Sequence, residues 1–370
     1  MLAYILRRLL FVIPTLFGIM VINFAVIQFA PGGPVEQLIA KLQGTAVGAT
    51  ARLGTGGGSE VGSGRPAGQS GGGGESSRYR GAQGLDPEFV KQLEKMFGFD
   101  KPAPERFLLM MKHYVRFDFG ESYFRDRRVV DLVLDKMPVS ISLGLWTTLL
   151  VYLISIPLGV AKAVRDGSPF DVWTSGVVIV GYAIPGFMFA VLLVVLFAGG
   201  SFLQIFPLRG LHSESWDMLN WWQRIGDYFW HITLPVAALV IGGFASLTLL
   251  TKNSFIEEIN KQYVMTARAK GLTERRVLYG HVFRNAMLIV IAGFPSAFVG
   301  ILFTGALLVE VIFSLDGMGL LSFESAINRD YPVMFGTLYF FTLLGLLLNL
   351  IGDLMYVAVD PRIDFESRSV

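Results

Sequence analysis

The sequence predicts an all-α polytopic membrane protein with six transmembrane helices. Hydrophobic residues make up 53% of the 370-residue chain and charged residues 16%, and the mean hydropathy is +0.54, which is too apolar for a soluble protein of this length. Each apolar run is long enough to cross a hydrocarbon core of roughly 30 Å once. The six runs cover residues 9–29, 143–161, 172–198, 232–250, 286–313 and 333–359.

Residues 1–30 are predicted to form the cytoplasmic start of the chain and the first span. The apolar run follows Arg7 and Arg8 as it would in a signal peptide, but it is too long for one and no small-residue cleavage site follows it. We therefore expect an uncleaved first transmembrane helix.

The distribution of basic residues predicts the orientation. The N-terminus, the 162–170 turn, the 252–284 loop and the tail together hold 13 Lys and Arg residues, whereas the 200–231 and 314–332 loops hold three. Short loops rich in Lys and Arg stay in the cytoplasm. Both termini, including the tail 363–370, are therefore expected to be cytoplasmic.

The long segment 31–137 is predicted to be periplasmic, between the first and second helices. Its first part, 44–84, holds 15 glycines in 41 residues and few large apolar side chains. Such a composition cannot offset chain entropy, so we expect disorder there. Residues 85–137 are expected to form a small folded outer subdomain. Its expected helical segments are 87–97, 107–114 and 129–134, the last packing towards the second span.

Motifs for catalysis or metal binding are missing from the sequence. There is no cysteine, no G-x-x-x-x-G-K-[ST] phosphate loop and no H-E-x-x-H pair, and the four histidines are scattered. A G-x-S-x-G match at 68–72 lies in the glycine-rich tract, where a nucleophile elbow would lack its strand and helix. The sequence predicts no catalytic residue, metal site or cofactor on this chain. The net charge of +2 gives no basic field for nucleic acid.

The most informative stretch is the basic, amphipathic loop 252–285. Residues 263–270 are mostly good helix formers, and Gly271 stands where a left-handed residue ends such a helix. Thr273 then begins a second helix. Small residues beside cationic ones make a compact knob suited to a groove in a partner protein. The alternative is a solvated loop that only keeps positive charge inside.

This loop resembles the cytoplasmic signature of the permeases of dipeptide and oligopeptide ABC importers, in which small residues precede a fixed glycine and a second helix. The general signature carries an acid where this chain has Thr266. By resemblance, the coupling helix seated in an ATPase subunit comprises Tyr263, Thr266, Ala267, Arg268, Ala269, Lys270, Gly271 and Leu272.

The resemblance extends along the chain, apart from the tract 44–84. Further matching segments are Arg7-Arg8-Leu9, Phe97-Gly98-Phe99-Asp100-Lys101-Pro102, Asp118-Phe119-Gly120-Glu121-Ser122, Glu310-Val311-Ile312-Phe313 and Asp360-Pro361-Arg362. Together they imply the type I ABC importer permease fold, with the permease domain at 138–362.

Three features narrow the resemblance, and one of them departs from most peptide permeases, which carry a proline-glycine pair where this chain has the Asp-Gly-Met-Gly sequence at 316–319. This variant, the Pro-Gly-Gly-Pro sequence at 31–34 and the long insertion 44–84 are together similar to the microcin C and oligopeptide permease subgroup. The resemblance thus implies a non-catalytic permease subunit that moves oligopeptides or peptide-like antibiotics of the microcin C type from periplasm to cytoplasm by alternating access.

The implied partners follow from the same family. They are a homologous second permease in a heterodimer, two ATPase subunits or one fused double ATPase, and a periplasmic peptide-binding protein, in a bacterial inner membrane. ATP and Mg²⁺ would be bound by the ATPase partners and not by this chain.

Other classes of transporter make different predictions. A secondary transporter driven by an ion gradient would carry paired ionisable groups near the bilayer midplane and an inverted repeat, and the sequence shows neither. An ABC permease for another small solute is a further alternative. An intramembrane enzyme would need a nucleophile or metal set inside the spans.

Three acidic residues in or near the spans each have two interpretations, and one proline-glycine pair has a single one. Asp353 in the last span is interpreted as a structural polar contact near the coupling loop, with a functional carboxylate as the alternative. Glu310 and Asp316 could meet a peptide amine or an arginine of the binding protein, or could cap and brace a loop. The pair Pro185-Gly186 is expected to border the transport pathway.

Overall fold

The computed structural model describes residues 2–29, 100–199, 202–300 and 307–359, together with positions 35, 38 and 88. Within these ranges the chain is helical and contains no strand; the one isolated β-bridge pairs Glu121 with Arg128. The glycine-rich tract 44–84, the expected helix 87–97 and the tail 363–370 lie outside the described residues, apart from position 88.

Twelve α-helices are present in the described ranges. They are α1 (Leu2–Phe29), α2 (Ala103–Tyr114), α3 (Val129–Val164), α4 (Pro169–Ala183), α5 (Gly186–Phe197), α6 (Trp221–Ile259), α7 (Gln262–Ala269), α8 (Glu274–Val277), α9 (Phe283–Gly300), α10 (Leu307–Ile312), α11 (Met318–Asn328) and α12 (Tyr331–Val359). A 3₁₀ turn at Trp216–Met218 precedes α6, and a π-helical turn at Leu278–Val282 joins α8 to α9.

The predicted all-α, six-span architecture is confirmed, but one span is broken. Five helical stretches of the described chain are long and apolar enough to cross a membrane, and α4 with α5 makes a sixth only as a pair bent by 92°. The run 172–198, which was expected to cross once, is therefore a pair of helices and not one continuous helix. Pro185 has no N–H to continue the helix and disfavours the α conformation for Ile184, which adopts φ −86° and ψ 118°.

Two other element boundaries differ from the expectation. Residues 129–134 were expected as a separate outer segment, yet they are the first turns of α3, which runs unbroken through 36 residues. The apolar run 286–313 contains α9 and α10, and positions 301–306 between them lie outside the described residues.

The chain divides into two compact units, and the first consists of Met1–Ile13, Lys136–Leu320 and Phe341–Val370. In this unit α6 packs against α4, α5 and α9. One apolar cluster joins α3, α6, α7, α8 and α9 around the fully buried Phe255 and Val290. A second cluster packs α3, α5, α6 and α10 around Leu143 and Ala190.

The second unit consists of Pro14–Asp135 and Leu321–Phe340. Its buried Asp330 accepts hydrogen bonds from the Ser122 hydroxyl and, at 3.1 Å, from the Tyr123 amide. Burial raises the pKa of the Asp330 carboxyl. Edge-on contacts of Tyr114 with Phe119 and Tyr339 fill the interior beside these polar groups. The sequence-based division at 31–137 and 138–362 stays a prediction.

Candidate coupling site

The loop predicted to couple the chain to an ATPase forms a compact helical protrusion, residues 260–285. Helix α7 ends in a Schellman motif: Gly271 N–H donates to Arg268 O at 2.9 Å, and Leu272 N–H donates to Ala267 O at 3.3 Å. Gly271 has φ +79°, a left-handed conformation that glycine adopts without the Cβ penalty of other residues. Thr273 then starts α8, so the predicted helix, glycine turn and second helix are all present.

The underside of the protrusion is apolar and buried. Val264 is fully buried and Ala267 is 6% exposed, and both belong to the cluster that contains Phe255 of α6 and Val277 of α8. The Ser254 hydroxyl also donates to the Ala286 carbonyl at 2.7 Å, which ties the end of α6 to the start of α9. The protrusion is therefore held against two long helices on its inner side.

Polar contacts brace the beginning of α7. The Tyr263 hydroxyl donates to Glu258 at 2.7 Å, and Lys261 pairs with the same carboxylate. Burial, followed by this hydrogen bond, raises the pKa of Tyr263. The contact with Glu258 raises the pKa of the Lys261 ammonium, so this ammonium stays charged around neutral pH.

The outer side of the protrusion is exposed and carries more basic than acidic side chains. Arg268 pairs with Glu274 through two contacts, Nε–Oε1 at 2.9 Å and Nη2–Oε2 at 3.0 Å, which clamps α7 to α8 across the glycine turn. Residues whose side chains or backbone face outward are Met265, Thr266, Ala269, Lys270, Gly271, Arg275, Arg276 and Tyr279.

The eight residues predicted for coupling thus lie on one protrusion but have different environments. Ala267 is buried, Tyr263 and Leu272 are half-buried against the apolar cluster, and the remaining residues are exposed. A substitution at Ala267 would disturb the packing of the protrusion itself. A substitution at Ala269 would change only its outer surface.

A buried charge cluster beside the protrusion was not found from the sequence. Lys162 of α3 is fully buried; its Nζ lies 3.0 Å from Asp171 Oδ1 and donates to Thr174 Oγ1 at 2.9 Å and Ser175 Oγ at 2.7 Å. Lys252 of α6 contacts Asp171 Oδ2 at 2.7 Å and Asp166 Oδ1 at 2.8 Å. We call these residues, with Asp171 at their centre, the Asp171 cluster. It ties the α3–α4 turn to the segment of α6 that leads into the protrusion.

Glu310 caps a helix, which agrees with the second of its two interpretations. It is fully buried; its Oε2 accepts from Leu320 N–H at 2.7 Å and its Oε1 from the Ser140 hydroxyl at 3.2 Å. Ser140 Oγ in turn accepts from Met318 N–H at 2.8 Å. The first amides of α11 are thereby satisfied, and a carboxylate is favourable at a helix N-terminus. Asp316 pairs with Lys136.

The same cap accounts for two glycines in the segment 316–319. A Cβ on Gly317 would overlap the Glu310 carboxylate, and a Cβ on Gly319 would lie 3.1 Å from Glu310 Oε2 and 3.3 Å from the Leu307 backbone. Gly317 therefore needs to be glycine because the buried carboxylate fills the space beside it, and Gly319 lies in tight contact with both the carboxylate and the Leu307 backbone.

Asp353 contacts the first helix and not the coupling loop, so the expected location of its contact is corrected. Its Oδ2 lies 2.7 Å from Arg8 Nη2 and accepts from the Tyr4 hydroxyl at 2.9 Å. Arg8 Nε also donates to Tyr4 at 3.0 Å. The charges compensate each other, which agrees with a structural role for this carboxylate.

Comparison with known families identifies the class of the protein. Residues 155–365 match the family described as "Binding-protein-dependent transport system inner membrane component". The match covers α4 to α12 and therefore the protrusion, the Asp171 cluster and Glu310. The chain belongs to this family and is a multi-pass permease component of an ABC importer in the inner membrane.

The relatives of this chain include two YejB permeases and an oligopeptide permease. The chain is 65% identical over 369 residues to the Peptidoglycan transport system permease protein YejB of Agrobacterium fabrum, with all of both chains covered. It is 59% identical over 367 residues to the Inner membrane ABC transporter permease protein YejB of Escherichia coli, covering 99% of this chain and 100% of that one. It is 32% identical over 374 residues to the Oligopeptide transport system permease protein AppB of Bacillus subtilis, with the same coverage.

Proposed function

We propose that this chain is one of two homologous permeases in an importer that carries peptides, or compounds with a peptide part, from periplasm to cytoplasm. The names of its relatives support this substrate class: one YejB relative is named for peptidoglycan transport and AppB for oligopeptide transport. Peptidoglycan fragments, oligopeptides and antibiotics of the microcin C type share amide-linked amino acids. That shared chemistry defines the proposed substrate.

The proposed assembly contains a second permease, ATPase subunits that bind ATP and Mg²⁺, and a periplasmic peptide-binding protein. The chain itself would hydrolyse nothing. Both of its termini and the protrusion 260–285 would face the cytoplasm, since the short loops on that side hold the excess of Lys and Arg.

The protrusion is the observation that carries this proposal. Its inner side is packed against α6 and α9, whereas its outer side exposes small and basic residues together with Met265 and Tyr279. A rigid element with one free face suits a groove in a partner protein. A movement of the ATPase would reach α6 and α9 through it, and rocking of these helices would open the pathway to alternate sides.

Docking is tested directly with a single thiol, because the natural chain has no cysteine. Ala269→Cys should react with a bulky maleimide when the permeases are purified without ATPase subunits and should be protected in the complete complex. Ser215→Cys, exposed in the 202–220 loop, serves as the matched control and should react equally in both preparations. Equal reaction of Ala269→Cys with and without the ATPase would contradict docking of the ATPase on the protrusion.

Coupling is tested with the complex purified through a tag on this chain and reconstituted in lipid. ATP hydrolysis and peptide uptake are measured with and without binding protein and peptide. Ala269→Trp should lose stimulated hydrolysis and uptake while inserting normally, and Ala269→Ser should keep both. Uptake that follows an ion gradient without ATP would instead support the secondary transporter considered above.

A further inference from the structure

Helix α1 provides a depth scale for the outer half of the membrane, with the orientation of the proposed function. Its apolar run 9–29 directly follows two arginines and is about 30 Å long, which matches the thickness of a hydrocarbon core. Phe29, the last residue of α1, therefore marks the outer boundary of the core. On this scale Phe24 lies about 8 Å and Phe17 about 18 Å inside that boundary. An average helix tilt of about 20° shortens these depths by only about 6%.

Helix α2 packs beside α1 at this depth. The ring of Phe107 lies 5.6 Å from that of Phe17 and 5.2 Å from that of Phe24, so its own depth falls between theirs. At the other end of α2, the ring of Tyr114 lies 5.5 Å from that of Tyr339. Tyr339 is six residues into the last apolar run, about 9 Å inside the outer boundary. Both ends of α2 thus lie roughly 10 Å inside the hydrocarbon core, and the helix does not stand above the membrane.

The side of α2 opposite Phe107 is exposed and charged. Glu105 and Lys112 lie there by helical geometry, and Arg116 and Asp118 are exposed in the turn that follows. No carboxylate among the described residues pairs with Lys112 or Arg116. Ionised side chains are strongly unfavourable in hydrocarbon, and a second protein would need a counter-charge for each one that it buried. Water is therefore the medium that fits this face.

We infer that residues 103–118 line a water-filled vestibule, which opens to the outside and reaches into the outer half of the membrane. Irregular backbone such as the turn 115–118 is tolerated at membrane depth where it is buried in protein or borders water. A cavity of about 330 Å³ beside this turn has a polar lining that includes Lys101, His113 and Asp118. The vestibule gives a charged, water-soluble solute an aqueous route below the membrane surface, and this step rests on the proposed function.

Contact with lipid fits the exposed side of α1 and not that of α2. Ile22, Val26 and Phe29 form an apolar stripe on α1, and they are 64%, 61% and 88% exposed. Ile22 lies about 10 Å inside the outer boundary, at the depth of α2. On α2 the exposed Leu108 has charged neighbours three positions before it and four after it. Two exposed surfaces at one depth thus differ in chemistry, which permits a matched comparison.

The first test places a single thiol on each surface, because the chain has no cysteine. Leu108→Cys and Ile22→Cys replace apolar side chains that are 65% and 64% exposed. The complete complex in lipid vesicles is treated from the outer side with a charged maleimide that does not cross membranes. Leu108→Cys should react at least about tenfold faster, because the thiolate is the reacting form and apolar surroundings keep a thiol protonated. Ser215→Cys gives the reference rate of an exposed loop thiol.

Several results would overturn the inference. Slow reaction of Leu108→Cys, equal to that of Ile22→Cys, would place α2 in lipid. Fast reaction of both thiols would show that this part of α1 lies outside the hydrocarbon core. Fast reaction of Leu108→Cys in the isolated chain alone would mean that another subunit covers this face. Reaction from the cytoplasmic side only would mean that the face does not open to the outside.

The second test determines whether the solute uses the vestibule. A bulky maleimide on Leu108→Cys should lower uptake of a synthetic tripeptide several-fold with basal ATP hydrolysis unchanged, whereas a methyl-sized thiol reagent should leave uptake near the wild-type rate. If the wild-type complex imports no tripeptide, the proposed function fails, and the labelling rates still decide the vestibule. If it imports the tripeptide and the bulky modification leaves uptake unchanged, the solute route through the vestibule is wrong.

Discussion

Helix α6 contributes to two regions of opposite construction, the protrusion 260–285 and the Asp171 cluster. The protrusion is built from consecutive residues, buries apolar side chains on its inner side and leaves its charges in solvent. The cluster takes Lys162 from α3, Asp171 from α4 and Lys252 from α6, and it buries the charges themselves. The protrusion exposes its charged side chains, where a partner protein can contact them, whereas the Asp171 cluster buries Lys162 and Asp171 inside the fold.

This difference predicts which property a single substitution should change in each region. Apolar contacts in the protrusion are spread over many side chains, so changing one exposed residue leaves its packing intact and changes only contacts with a partner. In the cluster, Asp171 contacts both ammonium groups and is the carboxylate that compensates Lys162, so removing it leaves the buried Lys162 charge without compensation. Stability should therefore be sensitive in the cluster and coupling should be sensitive in the protrusion.

The largest effect is expected for Asp171→Ala. The Lys162 ammonium would stay fully buried with two hydroxyls and a carbonyl but no counter-charge. We expect a loss of about 3 kcal/mol in the free energy of unfolding, measured by denaturant unfolding of the purified chain in detergent.

The double variant Lys162→Met, Asp171→Ala serves as its control. It should recover much of the loss, because the buried ammonium is gone and Lys252 keeps Asp166 at 2.8 Å. Strictly additive losses would show that the two groups do not interact and would remove the contrast with the protrusion.

The Glu310 cap is a second assembled site, and its effect should be next in size. Glu310→Ala leaves the Leu320 amide and the Ser140 hydroxyl without this acceptor, for an expected loss of about 2 kcal/mol. Gly317→Ala should also destabilise the chain, because its Cβ would overlap the carboxylate.

The pair of substitutions has an internal check. In the Glu310→Ala background, Gly317→Ala should cost less than it does alone, since the overlapping group is absent. Gly226→Ala, in a helix with open space around the added Cβ, should be neutral or stabilising. If Gly317→Ala costs the same in both backgrounds, the carboxylate is not what requires glycine there.

Sequence predicts the protrusion well because its structure is local. Good helix formers, the glycine at the C′ position and the threonine that follows lie within a dozen positions, and the Schellman bonds join residues only a few apart. Lys162 gave no comparable signal: in a short basic turn it looks like any residue that keeps positive charge inside. Its burial depends on Asp171 and on α4, which pack against it only in the folded chain.

The broken span has a similar cause. The run 172–198 is apolar on both sides of Ile184, so hydropathy alone merges α4 and α5 into one crossing, although Pro185 marks the break. Glu310 was considered as a cap, but Ser140, which completes that cap, lies 170 positions away. Sequence thus predicted the elements and the local motif, and it missed contacts between distant segments.

A smaller effect is expected at the glycine turn of the protrusion. Gly271→Ala forces a Cβ into a left-handed conformation and should cost about 1 kcal/mol. Nothing lies within 4 Å of the added Cβ, so strain in the backbone is the whole cost. Thermal unfolding of the purified chain measures it, and stimulated ATP hydrolysis of the complex should fall by a larger factor than stability alone explains.

Gly280→Ala is the matched control in the same protrusion. Gly280 has helical φ and open space, so alanine there should be neutral or stabilise by up to about 1 kcal/mol. Equal losses at both positions would show that the left-handed turn is not what sets the shape of the protrusion.

The smallest effect on stability is expected for Arg268→Ala, and it sharpens the comparison most. Arg268 and Glu274 make two contacts, yet their side chains are 42% and 74% exposed, so water screens the pair. The expected loss is below about 0.5 kcal/mol, compared with several times that value for Asp171→Ala. Glu274→Ala should behave in the same way. The loss of stability caused by either substitution should become smaller still as the salt concentration rises. If Arg268→Ala instead destabilises the chain as strongly as Asp171→Ala, the protrusion depends on a concentrated charge contact, and its outer surface is no longer free to change without affecting the fold.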